Sequence, residues 1–584
     1  MNVIGFKEAK CKNCYKCVRT CEVKAIIVKN EQAQIMNDKC ILCGHCLEAC
    51  PQNAKTFISD LDRVKEYIRS GIPTIVSVAP SYLGILKYKT PGQVVSALMK
   101  LGFCQVRETA EGAAYVTAEY ERLLGEGTMD NIITTCCPSV NDLIEIYYPS
   151  LTRYMAPVVS PMIAHGKLIR KELGEEVKIV FLGPCIAKKR EAESDARTKG
   201  YIDAVINFME LEQWLKEEKI DIMDEEDIGF HNNNPQVNRL YPISSGVLSS
   251  VIATGDRADS YRKFYVHGIN NCIELLKSME KGEVHGCFIE ANICNGGCIK
   301  GPAVDSESEG FSRFKIKLDM EESIPKVPVK AEEYPGTDNV SFEKFFHDRS
   351  PKDPEPTEEE IKKILKKTGK TEKAHELNCG ACGYPTCRDK AVAVYQGKAE
   401  LNMCIPFMHE KAQSMANVVL DTTPNIIIIV DSEMRIVEFS HAAEKYFHKT
   451  RNEAREMYLY ELIDHSDFEY VLNSHTNILG KKVTYENTGL ATLQNIVYIK
   501  EQNGVLGIFQ DVTADEEKKR QAYKVKVETI EMAQKVIDKQ MMVAQQIAGL
   551  LGETTAETKV TLTKLRDTIL YDGEEKGTKD GGAI

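Results

Sequence analysis

At 584 residues the chain has room for about four domains of ordinary size. Its apolar share of 43 % permits several buried cores, and its formal charge of −12 argues against nucleic acid, which calls for basic stripes. No run approaches the roughly 20 apolar residues of a membrane helix, and the opening MNVIGFKEAK lacks the apolar stretch of a signal peptide. In such a chain the twenty cysteines read as reduced metal ligands in the cytoplasm.

Residues 11–21 read CKNCYKCVRTC and residues 40–51 read CILCGHCLEACP. Both are C-x2-C-x2-C-x3-C, the spacing in which the fourth cysteine of each run ligates the cluster of the other. Cys11, Cys14, Cys17 and Cys50 are expected to hold one [4Fe-4S] cluster, and Cys40, Cys43, Cys46 and Cys21 a second. Pro51 follows the second run, whereas Glu22 follows the first. A pair of zinc knuckles is the competing reading. Residues 1–58 are thus expected to form a two-cluster domain that carries single electrons.

Residues 59–325 alternate short β-rich runs (74–79, 177–183, 203–208) with helical ones (94–102, 211–218). That order predicts an α/β domain with parallel strands and binding loops at the strand ends. Three stretches in it set cysteine beside glycine or proline: TTCCPSV at 134–140, FLGPCIAKKRE at 181–191 and EANICNGGCIKGP at 290–302. They contain Cys137, Cys185, Cys294 and Cys298, which no repeated motif claims and which are expected to converge on one cluster. Cys104, Cys272 and Cys287 match no motif and read as structural.

In this order the three stretches resemble the active-site signatures of [FeFe]-hydrogenases, and APS at 79–81 resembles a further pocket segment. With the two cysteine runs in front, the resemblance covers about residues 1–330. It implies an H-cluster, in which Cys137, Cys185, Cys294 and Cys298 hold a cubane and Cys298 also bridges to a two-iron unit carrying CO, cyanide and an azadithiolate. It further implies that H2 is split there into protons and electrons, with a protein such as ferredoxin as redox partner. Lys188 would donate to a cyanide ligand and Glu191 would anchor its loop. Ala79, Pro80 and Ser81 would line the pocket, and Cys136 would relay protons. A surface lysine at 188 and a merely buried thiol at 136 are the plain alternatives.

The chain departs from the family pattern at several positions. The family has methionine where Gly183 and Asn292 stand. It also has two glutamates at i, i+3 on the helix before the first signature. Here that helix reads TAEYERLLGEG, with Tyr120 and Leu123 at the best-aligned positions and Glu119 and Glu121 beside them. Two-residue spacing does not put both acids on one face, so the proton path is expected to be slow or rerouted. Such changes resemble the sensory or otherwise divergent members of the family.

Residues 326–372 are rich in proline and acid and read as a loose or wrapping linker with one helix, Thr357 to Gly369. Within 373–412, Cys379, Cys382, Cys387 and Cys404 resemble a small four-cysteine [4Fe-4S] domain, with zinc as the alternative. A helix over 388–401 is expected to carry the chain back to Cys404. Residues 413–515 hold no cysteine and give strand, strand, helices, then two strands joined at Asn503-Gly504. This order resembles a PAS domain. His441 and His448 read as surface residues rather than haem ligands.

From 516 to 572 the chain turns helical, with Val527, Ile530, Ile537, Met541, Ala544, Ala548 and Leu551 forming a coiled-coil-like stripe. Gly552 would end it, and Thr554 to Glu557 would start a second helix. A helix leaving a PAS domain in this way meets a signalling partner or a second copy of the chain, unless it packs back as a hairpin. Residues 573–584 read as a disordered tail. The expected architecture is therefore an α/β multidomain chain comprising a ferredoxin-like two-cluster domain, an α/β H-cluster domain, a four-cysteine iron–sulfur domain, an α+β PAS domain and a helical tail. The function expected is reversible H2 splitting at low turnover, used to sense hydrogen or redox state through the PAS domain and tail. A catalytic ferredoxin-linked hydrogenase is the alternative.

Overall fold

A computed structural model describes residues 3–232, 235–253, 260–304, 312–327, 340–485, 489–548 and 559–566. It divides into two compact units, Met1–Met408 and His409–Ile584.

In the first unit the cysteine runs hang on two small antiparallel ribbons. Ile26–Lys29 pairs with Gln32–Ile35, and Ile4–Phe6 pairs with Lys55–Phe57. The centre of the unit holds two parallel sheets. One runs Gln105–Glu108, Thr74–Val78, Lys178–Leu182, Ala204–Ile206. The other runs Arg262–His267, Cys287–Asn292, Asn131–Ile133. Every residue of Thr74–Val78 and of Cys287–Asn292 is buried, as expected for strands covered on both faces. Helices including Pro91–Lys100, Ala110–Glu126 and Pro161–Leu173 supply those covers.

After Ile324 the chain returns at residue 340 as a strap without helix. Phe342 stacks on Tyr115 at 5.3 Å between ring centres. Lys344 N–H donates to the Pro157 carbonyl at 3.1 Å, and Arg349 N–H to that of Glu145 at 2.9 Å. The described part of the linker therefore wraps rather than dangles. Helix Glu358–Lys367 starts in a capping box built by Thr357 and Glu360. Its Ile361 and Leu365 pack on Ala391 of helix Cys387–Tyr395. That second helix is shorter than the sequence suggests. It stops at Gln396, and Gly397 takes φ +68°, so the chain reaches Cys404 through a turn and a single 3-10 turn, Leu401–Met403.

Helix Ile405–Thr422 begins in the first unit and runs into the second, which holds a five-stranded antiparallel sheet ordered Ile436–Phe439, Ile426–Val430, Gly504–Asp511, Leu490–Ile499, Ile478–Tyr485. The last of these, an edge strand, was not expected. The connection between Leu490–Ile499 and Gly504–Asp511 spans four residues, 500–503, with Asn503 at φ +46°, a wider turn than the Asn-Gly pair alone implies. Ile428, Phe439, Phe468, Val505 and Phe509 form the core. Helix Thr513–Ala548 follows, and the expected stripe positions 527, 530, 537, 541 and 544 are half-buried in it, as are Thr513, Glu516 and Gln534. Leu551, Gly552 and the Thr554–Glu557 signal lie outside the described residues. No described helix is long and apolar enough to cross a membrane.

Candidate active site

The two parallel sheets end at a common opening, and each sequence stretch singled out above leaves the carboxyl end of a strand. Ala79-Pro80-Ser81 follows Val78, Gly183-Pro184-Cys185 follows Leu182, Thr134 to Cys137 follows Ile133, and Cys294 follows Asn292. Crevices at such strand ends are where parallel α/β sheets bind ligands. Their backbones are locked by Ala79 N–H to Leu182 O at 2.8 Å, Gly183 N–H to Ile206 O at 3.1 Å and Thr134 N–H to Ile289 O at 2.9 Å. Gly301 is needed for closure, because a Cβ there would sit 2.4 Å from the Pro184 carbonyl oxygen.

A cavity of about 100 Å3 lies between these ends. Cys136, Cys137, Cys185, Cys294 and Cys298 line it with Lys188, and Ala79, Pro80 and Ser81 form one wall. Burial pushes the Cys185 thiol up to about 11 and the Cys136 thiol up to about 12, and it raises Cys137, Cys294 and Cys298 as well. Thiols this buried ionise when a cation takes the proton's place. Lys188 Nζ donates to Glu191 Oε2 at 2.8 Å and to the Cys136 carbonyl at 3.2 Å. Burial works against its charge, but Glu191 and the neighbouring thiols outweigh it and hold the ammonium above its ordinary range. Lys188 is therefore no surface residue. Glu191 also accepts from Ser160 Oγ at 2.9 Å.

Ser81 Oγ is fully buried on the cavity wall and has no hydrogen-bond partner among the described residues. Four thiols, one buried ammonium and one unanswered hydroxyl around a single cavity suit a compact anionic iron–sulfur group. Among the described residues no three His, Cys, Asp or Glu side chains close on a single ion. Thiolates bound at about 2.3 Å to one tetrahedral zinc would crowd together, whereas ligands of a cube stand apart around an open volume.

The pocket explains one departure from the family pattern. A Cβ at Gly183 would lie 2.5 Å from Phe181 Cε1 and 3.2 Å from the Ala79 methyl. The Phe181 ring has taken the space that a side chain at 183 would fill, and it lines the cavity. Gly183→Ala is expected to cost about 1–3 kcal/mol by overpacking, and Phe181→Leu in the same chain to recover most of it. Denaturant melts of the two single variants and the double variant check this. Asn292 is also at the wall, its amide donating to Glu290 Oε1 at 3.1 Å.

The proton-path residues separate. Tyr120 OH lies 3.2 Å from Cys136 Sγ and accepts from Thr135 N–H at 3.0 Å, so phenol and thiol are within hydrogen-bond reach of each other. Glu119 does not reach the cavity. It faces outward and bonds Arg122 Nε at 2.9 Å, because two-residue spacing turns it away from Glu121. Glu121 is half-buried and acts electrostatically on Tyr241, whose ring lines the cavity. Cys272 and Cys287 are buried and donate to the Asn292 and His285 carbonyls, and the more exposed Cys104 donates to that of Thr74.

The other cysteines stand in sets. Cys17 feels Cys11, Cys14 and Cys50, and Cys46 feels Cys40, Cys43 and Cys21. Cys379, Cys382, Cys387 and Cys404 line a small cavity of about 30 Å3 with Lys370 and Lys390.

Residues 72–302 match the family described as iron only hydrogenase large subunit, C-terminal domain. This stretch resembles a hydrogenase domain. Around it, residues 4–51 match a 4Fe-4S dicluster domain, 376–406 an Fe-S cluster family and 415–512 the PAS fold. These domains support two N-terminal [4Fe-4S] clusters, an H-cluster and a C-terminal iron–sulfur cluster. Iron hydrogenase 1 of Clostridium pasteurianum is 26 % identical over 374 residues, which is 47 % of this chain and 65 % of that protein. The periplasmic [Fe] hydrogenase large subunit of Nitratidesulfovibrio vulgaris is 26 % identical over 284 residues, 39 % of this chain and 66 % of that one. The hydrogenase region thus spans just under two thirds of each relative. A solved [FeFe]-hydrogenase from Chlamydomonas reinhardtii overlays 50 % of this chain at 18 % identity, with a TM-score of 0.43.

Proposed function

We propose that the chain splits H2 reversibly at the cavity between its two parallel sheets, slowly, and that it uses the electrons to report hydrogen or redox state through the PAS domain and helical tail. The observation that carries the reading is the convergence of Cys137, Cys185, Cys294, Cys298 and the buried Lys188 on one cavity. In this reading Cys137, Cys185, Cys294 and Cys298 would hold the H-cluster. When bound, that group supplies an open iron position and a basic amine.

The chain's own residues do the rest. Lys188, steadied by Glu191, offers a charged donor inside a dry pocket. The 79–81 wall and Phe181 keep water out. Cys136 takes up the proton and hands it toward Tyr120. Burial holds Tyr120 as a neutral phenol that gives up its proton reluctantly at neutral pH, which is the physical reason to expect slow turnover. Free thiols throughout suit a reducing compartment such as the cytoplasm. A signalling protein, or a second copy of the chain, is the partner proposed for the tail, and a protein such as ferredoxin is the redox partner. The intact cysteine set and the retained Cys136 favour the second reading, a catalytic hydrogenase whose C-terminal unit is only structural.

Infrared spectroscopy of the chain loaded with the two-iron unit tests the site: CO and cyanide bands are expected, and their absence sinks the H-cluster reading. Dye-linked H2 assays separate the two functional readings. Fast turnover that is indifferent to deletion of residues 413–584 removes the sensory one. Cys136→Ala is expected to lower H2 turnover about 10²-fold or more with the infrared bands intact; unchanged turnover means that protons leave by another route.

A further inference from the structure

The four-cysteine segment is seated on the dicluster domain. Gly383 has φ +94°, and a Cβ there would lie 2.7 Å from Val18 and 3.2 Å from the Arg19 amide nitrogen. Only glycine lets the Cys382–Tyr384 loop press onto helix Lys16–Thr20, the link between Cys17 and Cys21. Arg19 Nη1 donates to the Ala381 carbonyl at 3.1 Å, Val28 N–H to the Lys398 carbonyl at 3.1 Å and Asn30 N–H to Glu400 Oε1 at 2.7 Å. Asp353 of the strap takes Lys39 from one side and Lys398 from the other. Tyr384, Met403 and Ala393 share one buried core with Val18, Ile26 and Val28.

Tyr384 stands between two cysteine sets. It lines the cavity of Cys379, Cys382, Cys387 and Cys404, and it belongs to the core against which Cys21 packs. On its far side the set containing Cys21 borders the hydrogenase cavity. Leu42 and Cys43 line that cavity, and Gly44, at φ +82°, comes so close to Pro302 that a Cβ would sit 2.1 Å from it. The set Cys21, Cys40, Cys43 and Cys46 therefore touches the hydrogenase site and, through Tyr384, the four-cysteine site.

We propose that the cluster on Cys21, Cys40, Cys43 and Cys46 is a branch point, and that Tyr384 positions it to pass electrons to a terminal cluster on Cys379, Cys382, Cys387 and Cys404. The step moves one electron. The branch cluster is oxidised by one unit and the terminal cluster reduced by one, and no bond forms or breaks. Lys370 Nζ lies 3.4 Å from Cys404 Sγ, and the buried Lys390 lines the same cavity. Two cations beside a cluster stabilise an added electron, so the terminal cluster holds what reaches it. Helix Ile405–Thr422 begins directly after Cys404. The inference rests on the cluster assignments of the proposed function, but not on H2 chemistry.

The test is electron paramagnetic resonance of the full chain, reconstituted with iron and sulfide, left without the two-iron unit and reduced with dithionite. A spin-coupled, broadened spectrum is expected. Cys387→Ala is expected to lose about four irons per chain and to leave the sharper spectrum of the dicluster domain. The double variant Lys370→Ala/Lys390→Met is expected to lower the midpoint potential of one signal only, and Tyr384→Leu to delay filling of that signal in freeze-quenched samples at unchanged iron content. A full-chain spectrum equal to the simple sum of uncoupled clusters overturns the wiring. An unchanged filling rate in Tyr384→Leu overturns the role of that residue. In the fully loaded chain, dithionite reduction without any reduction by H2 would defeat the hydrogenase reading and leave the wiring standing.

Discussion

Lys188→Met is expected to cost the chain both its two-iron unit and a large part of the stability of its hydrogenase domain. The ammonium is buried, and it is the nearest cation to Glu191, which is itself 3 % exposed. Removing one partner of a buried pair leaves the other charged without compensation, which costs about 3–5 kcal/mol. Here the low end applies, because Lys344 Nζ stands 3.7 Å from Glu191 Oε1 and Ser160 still donates to Oε2. A melting transition shifted accordingly would show only that the pair matters. The double variant Lys188→Met/Glu191→Leu separates the two roles. With both charges gone most of the stability should return, since replacing a whole buried pair with apolar side chains is often near neutral. The infrared bands should stay absent, because the donor facing the cavity is still missing. Full-strength bands in Lys188→Met would refute the assignment of Lys188 to the cofactor.

What the sequence disclosed and what it hid follow from how local each feature is. The cysteine runs at 11–21 and 40–50 were legible because one tight loop carries three ligands, so spacing alone encodes geometry. The stretches around Cys137, Cys185 and Cys294 were legible because each ends a strand with glycine or proline. Phe181 was not. It lies two residues before Gly183, and nothing in the string says that its ring folds back over that Cα. Gly183 read as a lost side chain, when the volume had moved to a neighbour. The close approach of Gly383 to Val18 joins positions 365 residues apart, and no local pattern announces it. Glu119 and Glu121 were weighed together although helical spacing already set them on different faces. The strand Ile478–Tyr485 escaped because an edge strand carrying Lys481 and Lys482 has little apolar alternation to detect.

Glu290 offers a large pH effect. It sits in the central strand of the smaller sheet, fully buried, accepting from the Ser245 N–H at 2.9 Å, the Leu248 N–H at 3.0 Å and the Asn292 amide. Burial dominates these donors and raises its carboxyl from 4.5 to about 7. The sign follows from proton counting. Between those values the folded chain keeps a proton that the unfolded chain has released, so stability from this group is fully present below 4.5, falls as pH rises and is gone above about 7. From pH 5 to pH 8 the loss is roughly 2–3 kcal/mol. Glu290→Gln cannot ionise. It turns one amide N–H toward a backbone donor, a penalty of about 1–3 kcal/mol that is the same at every pH. The variant is therefore expected to be the weaker protein at pH 5 and to match or exceed the parent at pH 8. Taking the difference between the two proteins cancels every other titrating group, including the depressed carboxyls of Asp195 and Glu145, which lose their pairing energy only in acid. Infrared difference spectra should show a protonated-carboxyl band that fades through neutral pH in the parent and is missing in the variant. Parallel stability profiles across pH 5–8 would mean that Glu290 is ionised throughout, held by its three donors against its burial.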